Sequence, residues 1–162
     1  DVIVVGELRD IETMTAALTL AETGHLEFGT LHTGIALSTV DRYIDAFPAE
    51  QQPQMCTQLA ASLQAIISQQ LIRKVNGGRI AAIEILTATP AVRSLIREGK
   101  THQLANAIEN GGEAGVTSMD RVLADLVNQG FISRSDALEH AIDQESIHRY
   151  LNGHPIQLSK AA

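Results

Sequence analysis

Val2-Ile3-Val4-Val5 is an unbroken run of β-branched residues. It predicts a strand buried on both faces of a parallel sheet. Asp10 is placed to cap a helix whose apolar positions Ile11, Met14, Leu18 and Ala21 follow the 3.6-residue period, with Gly24 as its stop. His25 to His32 then alternates, with Leu26, Phe28 and Thr30 on one side, and predicts a second strand. The three elements make a βαβ unit with parallel strands. An interior strand at the first residue implies neighbours encoded upstream, so the chain reads as a piece of a larger protein.

Further helices are predicted over Ser38–Phe47, with Val40, Tyr43, Ile44 and Phe47 inward and Pro48 as the stop, and over Gln54–Ser68, with Met55, Leu59, Leu63 and Ile66 inward. Leu71–Val75 and Arg79–Leu86 flank Asn76-Gly77-Gly78, which predicts a hairpin because both glycines accept positive φ. Beyond that the pattern turns to short helices. Thr89 and Pro90 open one that Gly99 closes, and His102–Asn110 forms the next, stopped at Gly111-Gly112. Thr117 with Asp120 resembles a capping box for a helix ending at Gly130. Ser133 with Asp136 repeats the device for a helix through Ile142, and a last turn or two covers Gln144–Leu151. The expected organisation is an α/β part over 1–88, a helical part over 89–152 and a tail over 153–162.

Composition narrows the classes. The 162 residues carry a formal net charge of −7 and 3% aromatics, which argues against a nucleic-acid binder. No apolar run approaches the ~20 residues that span a bilayer. One cysteine, Cys56, excludes an internal disulfide and a four-cysteine zinc site and is read as packing. His102, His140, His148 and His154 lack metal-ligand spacing and are read as surface residues.

The candidate chemistry sits at strand ends, because ligands of open parallel sheets bind beyond the carboxyl ends of the strands. Glu7 follows the first strand and His32 ends the second. If the strands are neighbours, about 5 Å apart, a carboxylate and an imidazole face one crevice. That pair suits phosphoryl transfer: the acid orients a water and the ring meets a phosphate oxygen. An apolar run followed by an acid has the shape of a Walker-B element, with Gly6 where many such elements carry a metal-binding Asp.

At these residues a resemblance emerges. Asp1-Val-Ile-Val-Val-Gly-Glu-Leu-Arg-Asp10 with Glu12-Thr13 resembles the Walker-B segment of the type II/IV secretion ATPase superfamily, and Thr23–Thr33 resembles its histidine box. Ala91-Val-Arg93-Ser94-Leu95-Ile96-Arg97-Glu98 is similar to the AIRNLI motif of the retraction branch, the PilT-type twitching-motility ATPases, and Gly115–Asp120 to a further segment of that branch. Ser94 and Val92 depart from the motif.

The resemblance implies the C-terminal part of a RecA-like P-loop ATPase sheet followed by a helical subdomain. It implies Mg-ATP (ATP with Mg2+) as substrate, a homohexameric ring, an inner-membrane platform protein as partner, and a cytoplasmic place at the pilus base. Glu7 and His32 take the catalytic roles, His25, Arg9 and Asp10 are candidate nucleotide contacts, and Ala91, Arg93, Leu95 and Ile96 belong to the motor-coupling helix. Four of these have plainer readings: Glu7 as an ordinary solvated residue after a strand, Asp10 as a helix cap, His25 as a structural hydrogen-bonder, and Arg93 with Arg97 as a solvated face. No Gly-x4-Gly-Lys-Ser/Thr loop occurs; Gly99-Lys100-Thr101 follows a helix and has Ser94 where the loop needs Gly. The chain by itself is therefore expected to be inactive. A non-catalytic interaction module and an assembly-type secretion ATPase are the rival readings; the missing four-cysteine insert favours retraction.

Overall fold

In the computed structural model, which describes residues 1–110 and 116–153, the opening run forms β1 (Val2–Val5). The next elements are α1 (Ile11–Glu22) and β2 (Leu26–Gly29). Asp10 caps α1 by accepting the Thr13 amide at 2.8 Å, and hydrogen bonds from Thr13 hold its carboxyl below the usual range. β1 and β2 pair in parallel, Val2 opposite Leu26 and Val5 opposite Gly29. The expected burial on both faces does not occur. Ile3 and Val5 are half-buried, but Val2 is 65% and Val4 73% exposed, as are Leu26 and Phe28 beside them. The reason is packing on one side only: of β1, the core cluster reaches Val5 and no residue of the other face.

α2 (Ala36–Asp45) starts two residues earlier than the pattern suggests, yet Val40, Tyr43, Ile44 and Phe47 are all buried. The Tyr43 hydroxyl donates to the Met14 carbonyl at 2.7 Å, locking α2 to α1. α3 (Gln52–Ser62) is shorter than expected, because Leu63 turns to extended backbone at ψ 131°. Ile66 and Ser68, assigned by periodicity to the helix, lie instead in β3 (Ala65–Arg73). The period is ambiguous there: Met55, Leu59, Leu63 and Ile66 all touch one core, whichever backbone carries them. β4 (Arg79–Thr87) returns through the anticipated hairpin, with Gly77 and Gly78 at φ 85° and 74°. α4 (Pro90–Arg97) is capped by Thr89. A 3-10 turn (Thr101–Gln103) leads into α5 (Leu104–Asn110).

The remaining helices are α6 (Met119–Asn128), α7 (Arg134–His140) and α8 (Gln144–Asn152). Ser118, not Thr117, caps α6 through the Arg121 amide. The Asp120 carboxylate points elsewhere: it accepts the amides of Ile142 at 2.7 Å and Asp143 at 2.8 Å. Those amides are thereby withdrawn from helix bonding, so α7 stops at His140 rather than Ile142, with Ala141 extended at ψ 142°. Asp143 then caps α8, and bonds from Ser146 hold its carboxyl below the usual range. Glu84 of β4 accepts the Met119 amide at 3.2 Å. Glu84 and Asp120 are both buried.

Two compact units result, Asp1–Ser68 with Ile85–Val116, and Gln69–Glu84 with Thr117 and the residues after it. They divide the chain within the hairpin strands, not at the 87–90 junction where the pattern changes. Each has its own core: Met14, Val40, Ala60, Leu86 and Ile96 are central to the first, and Ile72, Met119, Leu123 and Ile147 to the second. No described helix is long and apolar enough to cross a membrane. The stop at Gly111-Gly112, the Gly115 that opens the fourth motif, His154 and the tail after Gly153 lie outside the described residues.

Candidate functional site

Where β1 ends, the chain stays tied to β2's continuation. The Leu8 amide donates to the Thr30 carbonyl at 2.9 Å, and the Thr30 hydroxyl donates to the Gly6 carbonyl. Leu8 is buried over Gly29; a Cβ on that glycine would stand 2.7 Å from Leu8 Cδ1, so the smallest residue gives Leu8 its seat. Glu7 is held between these two anchors. Its Oε1 lies 3.2 Å from His32 Nε2 and its Oε2 2.5 Å from Arg9 Nε. The carboxylate side chain is 23% exposed, whereas His32 and Arg9 are 79% and 76% exposed.

The spacing argument anticipated the Glu7–His32 juxtaposition. Thr30 was not singled out, although a hydroxyl at the end of a strand was the signal for its cross-strand bond. With Nε2 toward Glu7, the ring's Nδ1 is left for a second partner, and it can donate there only as the imidazolium. Arg9, expected among nucleotide contacts, is paired here with Glu7. Asp10 is occupied by the Thr13 amide.

His25 is not part of this cluster. It precedes Leu26, which pairs with Val2, so it stands at the starting end of the parallel strands while Glu7 and His32 stand at their finishing end. Four residues of strand separate the ends by roughly 13 Å. Its Nδ1 lies 3.1 Å from the Thr23 hydroxyl and 3.2 Å from the Leu20 carbonyl, and its Nε2 3.9 Å from Asp1. This is the structural hydrogen-bonder of the plainer reading.

Arg93 is no solvated surface charge. Its Nε donates to the Ala88 carbonyl at 2.9 Å, and one terminal nitrogen donates to Ala60 and Ala61 at 2.7 and 2.8 Å. The guanidinium thus closes the C-terminal end of α3 and ties it to the start of α4, where free carbonyls and the helix dipole favour a cation. On the same helix Ala91 and Arg97 are exposed, Leu95 is half-buried and Ile96 fully buried. Arg93→Ala should therefore destabilise the first unit by about 1–3 kcal/mol, while Arg97→Ala should change little. Urea unfolding of both variants checks this.

Cys56 is buried in the core, which pushes its thiol up. His140, expected at the surface, is half-buried with Nδ1 3.3 Å from Gln70 Oε1.

The model of the family described as "Type II/IV secretion system protein" matches residues 1–77. The chain is 54% identical over 141 residues to the type IV pilus retraction ATPase PilT of Pseudomonas aeruginosa, covering 87% of this chain and 41% of that protein. It is 50% identical over 148 residues to a twitching motility protein of Neisseria gonorrhoeae, covering 91% and 40%. Its fold matches the crystal structure of the pilus retraction motor PilT with bound ADP at a TM-score of 0.83 and 45% identity, over 92% of this chain and 42% of that one. The chain thus spans about two fifths of the length of these relatives. With the Glu7 and His32 segments in place at the ends of paired parallel strands, the chain belongs to the type II/IV secretion ATPase superfamily, in its PilT-type branch.

Proposed function

We propose that this chain supplies the water-activating rim of an ATP-driven motor that retracts type IV pili. The observation that carries the proposal is the 3.2 Å contact between Glu7 and His32 at the carboxyl ends of parallel strands. In this reading Glu7 takes a proton from, or orients, the attacking water once a nucleotide displaces one of its two partners. His32 leaves Glu7 to meet the terminal phosphate, so loss of that phosphate restores its bond to Glu7 and turns hydrolysis into movement. Arg9 acts through Glu7, as a positioning residue. The Arg93 clasp makes α3 and α4 move together, which suits α4 to carry motion outward.

The relatives, a pilus retraction ATPase and a retraction motor with bound ADP, support nucleotide use. A ring of identical subunits (a hexamer), an inner-membrane platform protein as partner and a cytoplasmic place at the pilus base are what the resemblance implies for the whole motor. Magnesium is a separate matter. Both oxygens of Glu7 are engaged, and among the described residues no three His, Cys, Asp or Glu side chains converge on a metal position. These residues do not fit a magnesium site of their own.

No residue among the 162 forms a Gly-x4-Gly-Lys-Ser/Thr cradle, and positioning of the phosphates supplies most of the catalysis of phosphoryl transfer. The purified 162-residue chain should therefore release no phosphate from ATP above background, while a longer protein that includes such a loop with these residues should turn over. Turnover by the short chain would overturn the proposed division of labour. Turnover by neither would overturn the motor reading.

A further inference from the structure

Residues 51–83 contain no Asp or Glu, in a chain with 19 acids. Within that stretch Arg73, Lys74 and Arg79 bracket the hairpin turn, a quarter of the 12 basic residues in seven positions. No ion pair engages any of the three among the described residues. Strand alternation puts Leu71 and Arg73 on the exposed side of β3, opposite the buried Ile72, and Val75, just past the strand, is exposed as well. Leu71 is 52% and Val75 62% exposed. The Val75 amide donates to the Phe131 carbonyl at 3.0 Å, which fixes Phe131, itself 45% exposed, beside the tip. Within the turn, a Cβ on Gly77 would meet nothing within 4 Å.

The feature is an exposed tip: apolar side chains stand beside cations that no ion pair engages among the described residues, on a chain that is otherwise acidic. An acidic peptide needs a groove or pocket to be held in register, and the open space around Gly77 offers none. A flat anionic surface needs only the cations and a few apolar side chains to press into its boundary layer. We propose that the β3–β4 hairpin tip, with Phe131, is a contact site for an anionic lipid surface. The charge supplies long-range attraction and the apolar side chains a shallow anchor.

The purified chain should co-sediment with vesicles of equimolar phosphatidylglycerol and phosphatidylcholine, and not with phosphatidylcholine alone. Each cation near such a surface is worth about fivefold in partitioning, so replacing Arg73, Lys74 and Arg79 together by Gln should weaken binding about a hundredfold. Raised salt should weaken it progressively. Phe131→Ser should lower binding at every salt concentration, and Arg149→Gln, on α8 and outside the hairpin, should leave it unchanged. Circular dichroism confirms that each variant is folded before it is compared. Binding that the triple variant retains, equal binding to neutral vesicles, or capture of poly-glutamate without vesicle binding would each overturn the proposal, the last by making the tip a protein-docking site.

Discussion

Glu7→Gln in an intact motor carrying these residues is expected to lower ATP turnover by about a hundredfold to ten-thousandfold, with nucleotide affinity changed only a few-fold. The amide keeps the size of the carboxylate and can still accept one hydrogen bond, so the loop between Leu8 and Thr30 should hold its place. What is lost is the negative charge that pairs with Arg9 and the lone pair that takes a proton from water. Binding the phosphates is the work of other groups, so the loss should fall on kcat rather than on affinity. Phosphate release under saturating ATP, with nucleotide binding measured separately, distinguishes the two. A variant with ordinary kcat would remove Glu7 from catalysis. A variant that no longer binds nucleotide would make Glu7 a binding or folding residue instead.

The site's main pair was legible because parallel strands bring their carboxyl ends together, and the residues just past Val5 and Gly29 follow from counting. The caps at Asp10, Thr89 and Ser133 were legible because they depend on three or four adjacent residues. Tertiary partners were not. Arg93 looks the same in sequence whether it faces solvent or reaches Ala60, some thirty positions earlier. Likewise Ile66 satisfies a helical and an extended pattern equally, and only pairing with β4 decides between them. Burial of β1 was overestimated because β-branched composition records what a strand can bury, whereas exposure depends on which neighbours are present.

Asp120 is the clearest case of a local signal with a distant meaning, and its replacement should have the largest effect on stability. Its position three residues into Thr117-Ser118-Met119-Asp120 suggests a cap, but its carboxylate reaches forward to Ile142 and Asp143. There it terminates α7 and fixes the Asp143 cap that begins α8. Asp120→Asn keeps the shape and replaces one acceptor oxygen by an NH2, which then faces an amide donor. Asp120→Ala removes both acceptors and leaves two amides without them. An unsatisfied donor costs about 1–3 kcal/mol when buried, and these two bonds are part-buried, so the Ala variant should lose about 2–4 kcal/mol and the Asn variant somewhat less. For a unit of this size that is a fall in Tm on the order of 10 °C or more. Hydrogen exchange gives the sharper test: the amides of Ile142 and Asp143 should lose protection first in both variants, while Met14 and Val40 in the other unit keep theirs. Asp143→Ala, which removes only the exposed α8 cap, should have a smaller effect. Should the Asn variant melt like the parent chain with both amides still protected, the α7–α8 corner would be held by packing around Ile147, and the carboxylate would be incidental to it.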